Sequence, residues 1–287
     1  MYTRSKEKGK KMSLQDLVDK LQNYYNEIQQ YQDTDLIKFK EIMAEFRQFL
    51  NESQSVESGR MVAFNNLITN DNKNYLKYKI EFTHAENYFE RIVELDENEK
   101  VIAQQHGNIS INNFNNYLTD EFNKLFYNDV KIEIEKLKPY LSDKFIMVGC
   151  GSLPITLLVY CKQFPNISFI GIDNSAEAIK KAVDLKNSLK VSNLSFNIVD
   201  GLNYDYRDVK TIFVANTVIP KMNVLRQIAM SAKPGTIIII RVPVLAGNLL
   251  SEDVIYDSIP RINRIVEFQS ENDTDDTLYS LLVLSVD

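Results

Sequence analysis

The apolar run Phe145-Ile-Met-Val148, which feeds directly into Gly149-Cys-Gly151, constrains this chain more than any other segment. Two more runs end on an acid: Phe169-Ile-Gly-Ile closes on Asp173, and Phe196-Asn-Ile-Val closes on Asp200. A buried strand leading into glycines, then acids at the tips of the next two strands, is the pattern of a doubly wound, mostly parallel sheet. Further short apolar runs at 211–215 and 235–241 alternate with helical patterns at 154–164, 175–189 and 221–232, while 144–149, 168–172 and 194–199 complete the strand set. The last two runs, Arg264 to Gln269 and Leu278 to Val286, flank the acidic Glu271-Asn-Asp-Thr-Asp-Asp276 and read as an antiparallel hairpin with a solvated loop.

Those acids also point to a ligand. Asp173 lies about two dozen residues past Gly149, the spacing at which a carboxylate reaches ribose hydroxyls. Asp200 is placed to accept from an adenine amino group. A dinucleotide site calls for a third glycine, so that a helix N-terminus can receive a pyrophosphate. Here the run continues Ser152-Leu-Pro154, and Pro154 suits the first turn of a helix whose apolar face is Ile155, Leu157, Leu158 and Cys161. The loop opens a helix without being shaped for a diphosphate, and the second acid, Asp200, favours S-adenosylmethionine over a dinucleotide. The residues expected around it are Gly149, Cys150, Gly151, Pro154, Asp173, Asn174, Asp200 and Gly201, with Asn216 and Thr217 under the methionine part.

From Ser13 to about Tyr140 the texture is helical. Leu14, Leu17, Val18, Leu21, Tyr25, Ile28 and Tyr31 recur every three or four residues behind Ser13, an expected N-cap with Asp16 three residues on. Leu36, Phe39, Met43, Phe46 and Leu50 repeat the stripe, as do Tyr88, Phe89, Ile92 and Leu95, then Phe114, Tyr117, Leu118, Phe122, Leu125 and Phe126. The expected organisation is a basic tail over 1–12, a helical bundle or lid over 13–139, and a ligand-binding α/β domain over 140–287.

Composition narrows the functional classes. A chain of 287 residues buries roughly three quarters of its unfolded surface, so it needs no disulfide staple. Cys150 and Cys161, its two cysteines, lack framework spacing, which implies a reducing compartment, and a cytoplasmic location is expected. The longest aliphatic run, Ile237 to Ile240, is far too short to span a bilayer. A net charge of −6 argues against nonspecific binding of nucleic acid. His84 and His106 have no cysteine or second histidine at ligand spacing, so no tightly bound catalytic metal is expected.

Val148-Gly-Cys-Gly-Ser-Leu-Pro-Ile-Thr156 resembles the G-S-G-x-x-P-[LM]-T segment of nicotianamine synthases and of the bacterial enzymes that make opine metallophores such as staphylopine. Ile170-Gly-Ile-Asp173, Ile212-Phe-Val-Ala-Asn-Thr-Val-Ile-Pro220 and Pro234-Gly-Thr followed by aliphatics and Arg241 are similar to further segments of that family. The likeness runs from about Asp143 to Asp253. It implies a class I S-adenosylmethionine-methyltransferase-like Rossmann fold, a mostly parallel sheet ending in an antiparallel hairpin, with an N-terminal helical bundle. It also implies transfer of a 3-amino-3-carboxypropyl group to an amino-acid amine, with release of 5'-methylthioadenosine, toward a metallophore-type metabolite.

In the helical half, Ala85-Glu86 followed by Tyr88-Phe89-Glu90-Arg91 resembles the family helix that supplies a catalytic glutamate. This makes Glu86 the expected base, with Glu81 its rival one turn away. Phe114-Asn-Asn-Tyr117 resembles an aromatic-rich stretch, although Asn112 and Asn113 replace the Pro-Tyr of the plant pattern. By that resemblance Tyr117 could offer a hydroxyl and Asn116 a contact to the acceptor, though an aromatic on a helix stripe is more often a core residue. Arg241 could hold a substrate carboxylate or form a structural ion pair. The expected partner is a small amino-acid acceptor, with a homodimer as the one assembly considered. Cyclisation of the donor to azetidine-2-carboxylate, conventional methyl transfer to a small molecule and a nonenzymatic donor sensor are the alternatives.

Overall fold

The computed structural model describes residues 12–52, 63, 67, 72–104, 130–243, 249–268 and 279–287. The chain forms two compact units: one of Met1–Phe89, Pro243–Ser251 and Gln269–Ser280, the other of Glu90–Val242, Glu252–Phe268 and Leu281–Asp287. The boundary expected at 139/140 followed a change in sequence texture. Compactness instead divides the chain at Phe89–Glu90, inside one long helix.

In the first unit, α1 (Leu14–Tyr31) begins with a capping box: the Ser13 hydroxyl accepts from the Asp16 N–H at 3.1 Å, and the Asp16 carboxylate accepts from the Ser13 N–H at 3.1 Å. Leu17, Leu21 and Ile28 form its buried stripe. Asp35, which accepts from the Lys38 N–H at 3.0 Å, starts α2 (Leu36–Glu52). Phe39, Met43, Phe46 and Leu50 are buried as the spacing predicts, whereas Leu36, at the exposed first turn, is not. Tyr78, Phe82, Ala85 and Phe89 of α3 (Asn72–Gln104) supply a matching face, and the Phe46 and Phe82 rings lie 4.4 Å apart.

The second unit is built on a seven-stranded sheet of β1 (Lys144–Val148), β2 (Ser168–Asp173), β3 (Leu194–Ile198), β4 (Thr211–Val214), β5 (Ile237–Pro243), β6 (Ile262–Phe268) and β7 (Tyr279–Val286), in the order 3-2-1-4-5-7-6. Strands β1 to β5 pair in parallel, and β6 pairs antiparallel with β7. The hairpin therefore forms as expected. Its acidic run 271–276 lies outside the described residues, as do residues 1–11 of the basic tail.

Period-two alternation splits the strand residues between two cores. Phe145, Met147, Phe169, Phe213, Ile239 and Val283 face one side, with α4 (Ile155–Gln163) and Val130, Ile134 and Leu137 of the helical stretch 130–137. Ile146, Val148, Ile172, Ile212, Val214, Ile238, Ile240 and Leu284 face the other, with Val224, Leu225 and Ile228 of α6 (Lys221–Ser231). Helix α5 (Ala176–Ser188), capped by Ser175, follows β2. Burial on both faces explains why these strands read as unbroken apolar runs. The strand order reverses between β1 and β4, and ligands of such sheets bind beyond the carboxyl ends at that switch.

Candidate functional site

The turn after β1 is fixed by its own backbone. Gly149 and Gly151 have φ of 74° and 68°, a left-handed region that costs other residues about 1–2 kcal/mol. The N–H groups of Gly149 and Cys150 donate to the Ile172 carbonyl at 2.9 and 3.1 Å, lashing the turn to the end of β2. A Cβ on Gly149 would stand 2.5 Å from Val218 Cγ2, so the glycine admits the segment that follows β4. Pro154 stands one residue earlier than expected, capping α4 rather than lying in its first turn.

Asp173, half-buried at the tip of β2, accepts from the Gly151 N–H at 3.1 Å through one oxygen and from the Ser175 N–H at 2.9 Å through the other. It ties the glycine turn to the start of α5, and each oxygen retains lone-pair capacity for a hydroxyl. Asn174 is exposed beside it. Asp200, half-buried beyond β3, accepts from the Leu202 N–H at 2.9 Å, and the buried Gly201 offers its carbonyl to the Tyr206 hydroxyl at 2.9 Å. Cys150 is buried. Burial, with the Asp173 and Glu94 charges nearby, pushes its thiol well above the ordinary range, so it is no thiolate nucleophile at neutral pH.

Beyond β4, Asn216 is buried and Thr217 half-buried. The Asn216 carbonyl accepts from the Lys221 ammonium at 2.6 Å. The Arg241 fork, expected to take a substrate carboxylate, is closed on Glu133 with two contacts of 2.8 Å, and one nitrogen also donates to Thr156 at 3.1 Å. Burial alone would lower the Arg241 pKa, but the Glu133 carboxylate holds it above its ordinary value. The structural ion pair is the arrangement found.

The acid that meets the glycine turn was not singled out in the sequence. Glu94, half-buried on α3, accepts from the Ser152 N–H at 3.1 Å, and a Cβ on Gly151 would stand 2.1 Å from its Oε2. Burial, then the neighbouring Glu90 and also Asp173, push its carboxyl up to about 8, against the lowering effect of the Ser152 and Leu153 N–H groups. One turn before, Arg91 pairs with Glu177 at 3.3 Å on the exposed side. Glu86, the expected base, is fully buried in the first unit, 3.3 Å from the Arg47 guanidinium. Glu81 is half-buried and accepts from Gln29 at 3.3 Å. Tyr117 and Asn116 lie outside the described residues. Glu94 sits in the polar run Glu94-Leu-Asp-Glu-Asn-Glu99, where nothing but its apolar neighbours Ile92, Val93 and Leu95 hints at partial burial.

The strand order, the hairpin and the glycine turn define a class I S-adenosylmethionine-methyltransferase-like fold. Residues 142–281 match the family model of a methyltransferase domain. The carboxy-S-adenosyl-L-methionine synthase of Nautilia profundicola is 35% identical over 95 residues, 32% of this chain, so the chain spans only 40% of that relative. Among solved structures, the fold resembles MtNAS, a nicotianamine synthase. Its complex with S-adenosylmethionine has a TM-score of 0.73 at 14% identity over 94% of this chain and 98% of that one. Its complex with MTA and tNA has a TM-score of 0.74, again at 14% identity, over 94% and 97% of the two chains. At that identity the likeness is one of fold. No described helix is long and apolar enough to cross a membrane.

Proposed function

We propose that the chain is a nicotianamine-synthase-like transferase that moves a 3-amino-3-carboxypropyl group from S-adenosylmethionine to the amine of an amino acid. The observation that carries this reading is Glu94, a carboxyl pushed up to about 8 and seated on the N–H beside the glycine turn. Such a group serves an amine acceptor, whichever donor carbon the amine attacks. An amine nucleophile must shed a proton, and an amino group with a pKa near 8 is only about one-tenth deprotonated at pH 7. A base of matched pKa next to the donor turn meets that demand.

The donor residues in this reading are the backbone of Gly149 to Gly151, Asp173 on the ribose hydroxyls and Asp200 on the adenine amine, with Asn216 and Thr217 near the methionine part. The amine nitrogen attacks the arm carbon bound to sulfur. A C–N bond forms, the C–S bond breaks, and its electron pair stays on sulfur, which turns a sulfonium into the neutral thioether of 5'-methylthioadenosine. The amine proton passes to Glu94, which takes the role first expected of Glu86 or Glu81. Holding amine and arm in line accounts for most of the acceleration, since well-oriented pairs reach effective molarities of about 10⁵ M or more. The departure from a third glycine at Pro154 supports the same reading. The metallophore role of the product and a cytoplasmic location belong to this proposal too.

Incubation with S-adenosylmethionine and a panel of amino acids, read by mass spectrometry, is expected to give 5'-methylthioadenosine and an acceptor heavier by the arm. S-adenosylhomocysteine with a methylated acceptor would replace this reading with conventional methyl transfer, the activity that the methyltransferase-domain match favours. Product formed without any acceptor would identify donor cyclisation.

A further inference from the structure

Lys221 stands where elementary electrostatics discourages a cation. It is the first residue of α6, so its charge lies at the positive end of the helix dipole, and it is fully buried, so its ammonium has given up water. A methionine would fill similar space at neither cost. The Asn216 carbonyl is one of the groups that this charge holds.

The ammonium donates to the main-chain carbonyl of Asn216 at 2.6 Å and approaches that residue's Oδ1 at 3.5 Å. The backbone N–H of Lys221 donates to the Glu252 carboxylate at 2.6 Å, which caps a helix that Pro220 cannot cap with a side chain. Lysine is thus fixed at both ends. Asn216 belongs to a turn in which the Val218 N–H donates to the Ala215 carbonyl at 3.4 Å and the Ala215 N–H to the Val148 carbonyl at 3.1 Å. Val218 Cγ2 and Ala215 Cβ are the atoms that a Cβ at Gly149 would meet, at 2.5 and 3.5 Å. An unbroken series of contacts runs from a buried charge through one carbonyl to the glycine turn.

We propose that Lys221 is a positioning residue of the donor site: its ammonium pins the Asn216 carbonyl and so holds the 215–218 turn against Gly149, fixing the surface on which the donor's amino-acid arm lies. This rests on the reading of a donor site at that turn. Loss of the contact frees the turn, widens the orientations open to the arm and weakens its binding.

Lys221→Met tests the assignment with two readouts. Hydrogen exchange by mass spectrometry, without any ligand, should show faster exchange in peptides covering 213–220 and little change over β2. Calorimetry should show S-adenosylmethionine binding about tenfold weaker, the size expected for a lost charge-assisted hydrogen bond. Lys221→Gln, which keeps a donor on a shorter arm, should fall between the two, and it carries the test if the methionine variant does not fold. A variant that melts earlier yet shows unchanged exchange at 213–220 and unchanged affinity overturns the proposal, because Lys221 is then merely structural. Wild-type protein that binds no donor would sink the functional reading, while the exchange result would still decide whether Lys221 holds the turn.

Discussion

In the proposed reaction Glu94 is the residue on which the chemistry turns. Glu94→Gln keeps the shape and can still accept from the Ser152 N–H, but it takes no proton. Turnover is expected to fall by about 100-fold or more while donor affinity changes little; a rate within twofold of wild type would move the role elsewhere. The same carboxyl has a signature in stability. Its folded pKa of about 8 lies above the unfolded value of 4.5, so the native state binds the extra proton between those values. Stability contributed by this group is therefore present at low pH and falls as pH rises from about 4.5 toward 8. Melting temperatures of wild type and Glu94→Gln followed from pH 5 to pH 8.5 should show the wild type losing more; parallel curves would contradict the raised pKa. Asp173→Ala removes both the expected ribose acceptor and the partner of two N–H groups, so calorimetry should show donor binding weakened by about tenfold or more.

At the scale of elements, the strands and helices of the second unit were legible because each is a short, continuous apolar run or a clean helical stripe between turn residues. The Phe145–Val148 run became β1 and the run before Asp173 became β2, with register Phe145↔Phe169. The capping box at Ser13 and Asp16 was legible for the same local reason. Pairings between distant residues were not. Glu133 and Arg241 meet 108 positions apart, and no spacing rule reveals that the arginine is taken. Lys221 reads in sequence as an ordinary solvated lysine. The buried pair carries its own expectation: Glu133→Gln leaves a buried guanidinium without its counter-charge and should cost about 3 kcal/mol or more in denaturant unfolding, whereas Glu177→Gln, in an exposed pair, should cost under about 1 kcal/mol. Gly149→Ala, which must push Val218 aside from a left-handed position, should cost about 1–2 kcal/mol in the same measurement.

For the molecule as a whole, the places of the glycine turn and the strand-tip acids were legible, because a parallel sheet sets such residues at the carboxyl ends of its strands. The raised carboxyl of Glu94 was not, because a helix with many acids gives no local sign of which one is desolvated. Reading α3 by resemblance pointed to Glu86, which has Arg47 as a counter-ion; geometry pointed to Glu94, whose neighbours are other acids. That difference favours Glu94 in the proposed reaction, since burial and like charge push its carboxyl up to about 8, into the range useful to a base near neutrality.

Isotope tracing on the donor tests the central claim most directly. S-adenosylmethionine is supplied with one label in the methyl group and another in the four-carbon arm, together with the accepting amino acid, and both products are weighed. The account predicts that the arm label moves to the amine and the methyl label leaves on the adenosine thioether. The methyl label on the acceptor, with the arm label left on the nucleoside, would contradict it.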